Sequence, residues 1–183
     1  MNDRATHRTR GLVRAGAATV AATATLVCLA TTSAQADPSP STEMKQAQEI
    51  AEQLRRAPGG VVINDRQISY DNGAVIVTIE AEDASTQAAG DCPNGWFCLW
   101  SKTDFKGTRY QFHDAGIWQN LDHYSLPWFY SMYNRRNNRV FLRNYPNDPA
   151  YELCYQAGVR ISNASNIKHM RGIYLAKSNN RCG

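Results

Sequence analysis

Hydrophobic residues recur at helical spacing from Ser41 to Ala57, and Pro58-Gly59-Gly60 follows directly. Residues three or four positions apart share one face of a helix, while Pro and Gly end helices. This pattern predicts a single amphipathic helix. The residues on its apolar stripe are Met44, Ala47, Ile50, Ala51 and Leu54.

Three short apolar runs come after the helix, at Val61 to Asn64, Arg66 to Tyr70 and Ala74 to Ile79. Asp71-Asn72-Gly73 separates the last two runs and is typical of a hairpin turn. Residues 37–80 are therefore predicted to form a small α+β appendage, a helix plus a β-hairpin. Its own core is thin, so we expect it to dock on another part of the chain or to act as a prosegment or spacer.

The polar, aperiodic segment 81–91 is predicted to be a linker. The composition then changes, because sixteen of the eighteen aromatic residues lie between Trp96 and Tyr155. Short aromatic and β-branched runs alternate here with Gly, Pro, Asn and Asp, which indicates a mainly β domain over 92–183, an all-β sandwich built from Greek keys. The predicted strands are Phe97 to Trp100, Thr108 to Phe112, Arg139 to Arg143, Tyr151 to Tyr155 and Ile173 to Ala176.

The first thirty-six residues have the pattern of a secretory signal peptide. Four Arg precede an apolar run from Ala15 to Ala30, and Ala34-Gln35-Ala36 supplies the small residues of a cleavage site. We expect cleavage after Ala36 and secretion of the remainder. The apolar run is shorter than a spanning helix needs, so no membrane span is expected in the mature chain, although a retained signal anchor is the alternative.

The signal segment also carries most of the excess positive charge. It holds four Arg and one acid, Asp3, so its removal lowers the net charge from +4 to +1. A nearly neutral mature chain gives no reason to expect nucleic acid or an anionic membrane as a partner. The cluster of Arg135, Arg136, Arg139 and Arg143 fits either a solvated strand edge or a binding patch.

Four cysteines remain once Cys28 leaves with the signal, and an even number in a short exported chain predicts disulfides. Three pairings are possible. We favour Cys92 with Cys98, because Pro93-Asn94-Gly95 can turn the chain between them, and this leaves Cys154 for Cys182. No Cys-x-x-Cys pair occurs, and the histidines show no ligand spacing, so we expect no metal and no cofactor.

The spacing of Trp100, Phe105 and Gly107 resembles the first Greek-key signature of beta/gamma-crystallin domains. In that signature an aromatic ring covers a backbone corner, and Gly adopts a conformation that a Cβ would oppose. The resemblance implies that the Ser131 hydroxyl hydrogen-bonds the folded hairpin. Calcium-binding relatives carry a pair of Asn or Asp residues before this serine. The pair is absent here, which implies that the chain has no calcium site at this position.

A longer set of elements resembles the secreted bacterial peptidase inhibitors grouped as inhibitor family thirty-six. These elements, in order, are Cys92-Pro93-Asn94-Gly95-Trp96-Phe97-Cys98, Ile117-Trp118-Gln119-Asn120-Leu121, Ser131-Met132-Tyr133-Asn134-Arg135 and Val140-Phe141-Leu142. The resemblance implies an extracellular protease as partner, with metalloproteases the class known for the family, and a substrate-like loop between Asn144 and Tyr155. The candidate loop residues are Asn147, Asp148, Pro149, Ala150, Tyr151, Leu153 and Tyr155.

Inhibitory relatives stiffen this loop with two cysteines five positions apart, but Pro149 stands five positions before Cys154. Pro146, Pro149 and a bridge from Cys154 to Cys182 are other sources of stiffness.

Two further functions remain open. One is an aromatic module that binds a glycan or cell surface, suggested by Tyr124, Trp128, Phe129, Tyr130 and Tyr133. The other is an antimicrobial crystallin-like protein. No catalytic motif occurs in the sequence, so we do not expect an enzyme.

Overall fold

The computed structural model describes residues 40–80, 91–144, 151–178 and 181–182. The chain divides into two units, Met1–Ala36 and Asp37–Gly183, and every described residue belongs to the second. The predicted signal peptide and nearly all of the predicted linker therefore lie outside the described residues. No helix among the described residues is long and apolar enough to cross a membrane.

The predicted helix is present as α1, Pro40–Arg56, but its buried face differs from the predicted stripe. Ile50, Gln53 and the following Ala57 are buried, whereas Met44 is 68% exposed and Ala47 and Ala51 are also exposed. The buried residues of the helix therefore lie in its second half. The Gln53 side chain is buried because its amide donates a 2.7 Å hydrogen bond to the backbone oxygen of Tyr124.

Eleven strands form two antiparallel sheets within the described residues. The larger sheet has the order β1-β2-β3-β5-β4-β7-β10, and the smaller has the order β6-β11-β8-β9. The strands of the larger sheet are β1 Val61–Asn64, β2 Gln67–Tyr70, β3 Val75–Thr78, β4 Phe97–Trp100, β5 Arg109–Phe112, β7 Ser131–Asn134 and β10 Arg160–Ile161. Those of the smaller sheet are β6 Trp118–Asn120, β8 Val140–Arg143, β9 Glu152–Tyr155 and β11 Gly172–Leu175.

The strand order consists of two Greek-key motifs, β4 to β7 and β8 to β11. In the first motif, β6 crosses to the smaller sheet and β7 returns to pair with β4. In the second motif, β10 crosses to the larger sheet and β11 returns to pair with β8. The motifs thus exchange their third strands, and the predicted mainly β, crystallin-like Greek-key class is confirmed.

The N-terminal strands continue the larger sheet. β3 pairs with β5 over four residues, with Val75 opposite Phe112 and Val77 opposite Tyr110. Ile68, Val75 and Val77 are fully buried and belong to the same hydrophobic core as the Greek-key strands. The helix and hairpin are therefore docked on the sandwich through shared backbone hydrogen bonds and a shared core.

Candidate functional site

The connection between β4 and β5 is a folded hairpin that matches the crystallin-like signature. Three of its residues have positive φ: Asp104 at 56°, Phe105 at 61° and Gly107 at 80°. The rings of Trp100 and Phe105 meet edge to face, with centroids 5.3 Å apart. A Cβ on Gly107 would lie 2.3 Å from Ser101 Oγ, so this position requires glycine for space as well as for backbone conformation.

Ser131 holds the folded hairpin from the neighbouring strand β7. Its fully buried hydroxyl accepts a 3.0 Å hydrogen bond from the Phe105 backbone N–H and donates a 2.8 Å bond to the Lys102 carbonyl. One side chain thereby pairs two backbone groups that the turn leaves without strand partners. The structure gives Ser131 the hairpin-binding position that the resemblance implied.

The disulfide between Cys92 and Cys98 lies beside this hairpin. Both cysteines are fully buried and pack with Trp100, and their Cα atoms are 5.9 Å apart. Arg135 on the far side of β7 donates a 2.6 Å hydrogen bond to the Cys92 carbonyl. The bridge therefore closes the segment that leads into β4. The Arg135 hydrogen bond joins this segment to the end of β7.

The second disulfide connects Cys154 in β9 with Cys182 near the C-terminus, with Cα atoms 5.7 Å apart. This is the pairing favoured from the sequence. β9 is the outermost strand of the smaller sheet and pairs there with β8 alone. A second contact holds the same terminal segment, because Arg139 donates a 2.6 Å hydrogen bond to the carbonyl of Arg181. The outermost described strand of this sheet is thus joined covalently to the C-terminal segment.

The predicted protease-facing loop connects β8 to β9. Its base is closed by Arg143 and Glu152, which are opposite each other in the strand register and form a 2.7 Å ion pair. The Arg143 guanidinium also stacks on the ring of Trp118, 4.0 Å from its centroid. Residues 145–150, which include Asn147, Asp148, Pro149 and Ala150, lie outside the described residues.

The three remaining candidate residues of this loop have different surroundings. Tyr151 is 48% exposed at the start of β9. Leu153 and Tyr155 instead lie opposite Leu142 and Val140, which are fully buried, and they pack against the same core. Their partly buried side chains therefore contribute to the sandwich core. Tyr151 is the most exposed of the three.

The two Greek-key motifs differ at every position of the folded-hairpin signature. Residues 101–108 and 144–151 are connections of equal length between the first and second strands of each motif. By position after the first strand, Arg143, Asp148 and Ala150 replace Trp100, Phe105 and Gly107. Gly172 lies opposite Arg143, as Ser131 lies opposite Trp100, so the second motif also lacks the hydroxyl that holds the first hairpin.

Asn134, which the sequence marked only as a member of the element Ser131 to Arg135, holds the two motifs together. Its buried side-chain amide lies 2.9 Å from the Asn138 carbonyl, 3.2 Å from that of Tyr155 and 2.9 Å from that of Gln156. These carbonyls come from the β7–β8 connection and from the end of β9. Such a role depends on chain segments that meet only in the folded state.

The aromatic residues between Tyr124 and Tyr133 do not form one surface. Tyr124 and Phe129 are buried in the core, and Tyr133 packs beside the Cys92–Cys98 disulfide. Trp128 is 49% exposed and, with Tyr130, borders an open cleft beside α1. The predicted aromatic cluster therefore contributes two rings, those of Trp128 and Tyr130, to this cleft. The described residues contain no group of three His, Cys, Asp or Glu that could hold a metal ion.

Two exchanged Greek-key motifs with two disulfides define a stapled β-sandwich of crystallin-like topology. Residues 85–147 match the model of peptidase inhibitor family I36, and this match confirms the resemblance to that family that the sequence indicated. The match includes the whole first motif and β8, and it ends before β9. No curated protein matches the chain significantly.

A solved structure described as "Evolution of the eye lens beta-gamma-crystallin domain fold" is 11% identical to this chain, with a TM-score of 0.43. The alignment covers 56% of this chain and 96% of that one. The fold assignment rests on the strand order described above.

Proposed function

We propose that this protein is a secreted inhibitor of extracellular proteases, with metalloproteases as the first class to test. The match of residues 85–147 to peptidase inhibitor family I36 carries the proposal. A member of such a family acts by binding a protease and has no need of catalytic groups of its own. We therefore propose a non-enzymatic role.

The segment from Asn144 to Tyr155 is the proposed contact with the protease. Tyr151 offers a large, half-exposed ring directly beside the ion pair of Arg143 and Glu152. The ion pair and the Cys154–Cys182 bridge restrain both strands next to the loop. A loop held in its bound conformation loses less entropy on binding, which favours tight association with a protease cleft.

The difference between the two Greek-key motifs also supports this segment as the contact with the protease. In the first motif, Phe105, Gly107 and Ser131 hold the hairpin against the sandwich. The second motif has none of these residue types at the corresponding positions. The residue types that hold the first hairpin are thus missing from the second connection, which supports a contact with a partner as its role.

Secretion is part of the proposal. Two disulfides and a family of peptidase inhibitors both fit an oxidising, extracellular setting. The intact mass of the exported protein, measured with and without reduction, tests this point. A mass that corresponds to residues 37–183 with four oxidised cysteines is the expected result, and a mass that retains the first thirty-six residues would contradict cleavage after Ala36.

Inhibition assays test the function itself. The purified mature chain is titrated at micromolar concentrations against a thermolysin-like metalloprotease, a subtilisin-like serine protease and papain. We expect inhibition of the metalloprotease, and we expect Tyr151→Ala to weaken it about tenfold or more if the ring is an anchor of the interface.

Trp128→Ala is the matched control, because Trp128 is 49% exposed but belongs to the cleft beside α1. It should leave the inhibition constant unchanged. If none of the three enzymes is slowed, the inhibitor proposal fails. If the metalloprotease is inhibited equally by the Tyr151→Ala variant, the function stands and the proposed contact is wrong.

A further inference from the structure

A cleft of about 1040 Å³ opens between α1 and the first Greek-key motif. One wall is the exposed side of α1, and the opposite wall is the folded hairpin 101–108. The third side is formed by residues 125–130, with Trp128 and Tyr130 among them. The floor includes Tyr110, which is buried in the core. The cleft is remote in sequence from the β8–β9 loop and involves none of its residues.

The aromatic side of the cleft is held in place by its surroundings. Phe129, between the two aromatic residues of the cleft, is fully buried, and the backbone N–H of Tyr130 donates a 2.8 Å bond to the Trp100 carbonyl. The Lys168 ammonium lies 5.2 Å from the ring centroid of Trp128 and 5.5 Å from that of Tyr130. Lys168 itself is not among the residues that line the cleft.

The other walls supply polar groups of both charges. Exposed Gln48 and Glu49 line the helix side, and Lys106 lines the hairpin side. Several of the remaining charges are already paired, with Lys102 3.0 Å from Glu80 and Arg56 3.4 Å from Glu52. The charges that line the cleft are therefore mixed in sign, and they do not favour a strongly charged ligand.

The sheet edges exclude one common mode of peptide binding. β5 lies between β3 and β4, and β4 lies between β5 and β7. Neither strand beside the cleft has a free edge to which an extended peptide could add a strand. A ligand in this position must be recognised by side chains.

We propose that this cleft binds an uncharged oligosaccharide, with one sugar ring on the face of Trp128. Aromatic faces stack against the C–H faces of pyranose rings, while the ring hydroxyls need hydrogen-bonding side chains around them. Trp128 and Tyr130 provide the first kind of contact, and Gln48, Glu49 and Lys106 provide the second. This activity is separate from protease inhibition and does not depend on it.

Retention on insoluble chitin and cellulose, followed by calorimetric titration with soluble oligosaccharides of each, tests the proposal on the mature chain. We expect retention on at least one polymer, and affinity that falls at least tenfold in Trp128→Ala. Because no net charge is involved, binding should persist at about 0.5 M salt. Tyr151→Ala, which removes a ring of equal exposure at the other site, should bind as the unchanged protein does.

Trp128 is half exposed, so its replacement should leave the thermal unfolding midpoint nearly unchanged, which separates loss of binding from loss of fold. The proposal is wrong if neither polymer retains the protein, if binding disappears at high salt, or if Trp128→Ala binds as well as the unchanged chain. Binding of peptides alone would equally overturn it.

Discussion

Ser131 and Gly107 show how single residues determine the shape of the first Greek-key motif. The Ser131 hydroxyl pairs two backbone groups of the hairpin, and Gly107 leaves room for Ser101 Oγ, which accepts a 2.9 Å bond from the Thr108 N–H. Each residue acts through one or two atoms. The spacing of Trp100, Phe105 and Gly107 carried the resemblance to beta/gamma-crystallin domains, and that resemblance in turn implied the role of Ser131.

Gly107→Ala tests the space at this corner against a control glycine with the same φ. Gly158 has the same φ, +80°, but nothing lies within 4 Å of an added Cβ. Gly158→Ala should cost about 1 kcal/mol for the left-handed conformation, and Gly107→Ala should cost about 1 to 2 kcal/mol more because the Ser101 bond is disrupted. Urea unfolding of both variants measures the difference. Equal losses would show that the hairpin tolerates the added carbon.

Buried tyrosines should make the protein sensitive to alkali. Burial raises the pKa of Tyr110 to about 12, and burial with a hydrogen bond to Asp71 raises that of Tyr124 as well. Above about pH 10 the unfolded chain releases these protons while the folded chain keeps them, so stability falls as pH rises. Each tyrosine contributes a slope that approaches about 1.4 kcal/mol per pH unit within its window.

Tyr110→Phe should remove one such contribution between about pH 10 and 12. Urea unfolding at several pH values in this window gives the slope for both proteins. The stability of the two proteins should follow the same pH dependence below pH 9, where the tyrosine is protonated in both states. An unchanged slope in the variant would contradict the assignment.

At the scale of elements, β9 depends on restraints from outside its sheet. It pairs with β8 alone, and the Cys154–Cys182 bridge joins it to the C-terminal segment. By loop closure, a bridge that spans 28 residues contributes about 3.5 kcal/mol. The same restraint acts on the strand that carries Tyr151 at its start, so stability and the proposed inhibition are linked at this element.

Replacing both Cys154 and Cys182 by Ser should lower the unfolding midpoint by roughly 10 °C and weaken protease inhibition at a temperature where the protein is still folded. The control is the double Ser variant of Cys92 and Cys98, whose bridge borders the first hairpin. That variant should lose stability but keep its inhibition constant. Equal inhibition by both double variants would show that the second bridge does not organise the loop.

At the scale of the whole molecule, the helix and hairpin of residues 40–80 are continuous with the sandwich. β3 covers the edge of β5, and Ala57, Ile68 and Val75 are fully buried. Removal of this region would expose one sheet edge and a set of core side chains together. This arrangement favours a permanent structural role for the region over that of a removable prosegment.

A chain that begins at Asp91 should therefore lose several kcal/mol of stability and tend to aggregate through the exposed β5 edge. Thermal unfolding and size-exclusion chromatography compare it with the chain that begins at Asp37. Equal thermal unfolding midpoints for the two chains would show that residues 37–90 are a dispensable spacer or prosegment. The proposal of a permanent structural role for them would then be wrong.

Local sequence was sufficient for the features that depend on near neighbours. The turn at Pro93-Asn94-Gly95 indicated the first disulfide, the aromatic and glycine spacing indicated the folded hairpin, and β-branched runs indicated most strands. The strands that were not predicted are β6, β7 and β10, of which β6 has only three residues and β10 only two. Periodicity cannot identify strands of that length.

Tertiary structure decided which surfaces are buried and which residues meet. The helix stripe was mispredicted because the buried residues lie in the second half of α1, where Gln53 finds a partner in Tyr124 and is buried. The exchange of β6 and β10, the role of Asn134 and the cleft beside Trp128 all join segments far apart in the chain. Periodicity and turn chemistry report the local conformation of a segment, whereas these features depend on pairing energies between distant segments that exist only in the folded chain.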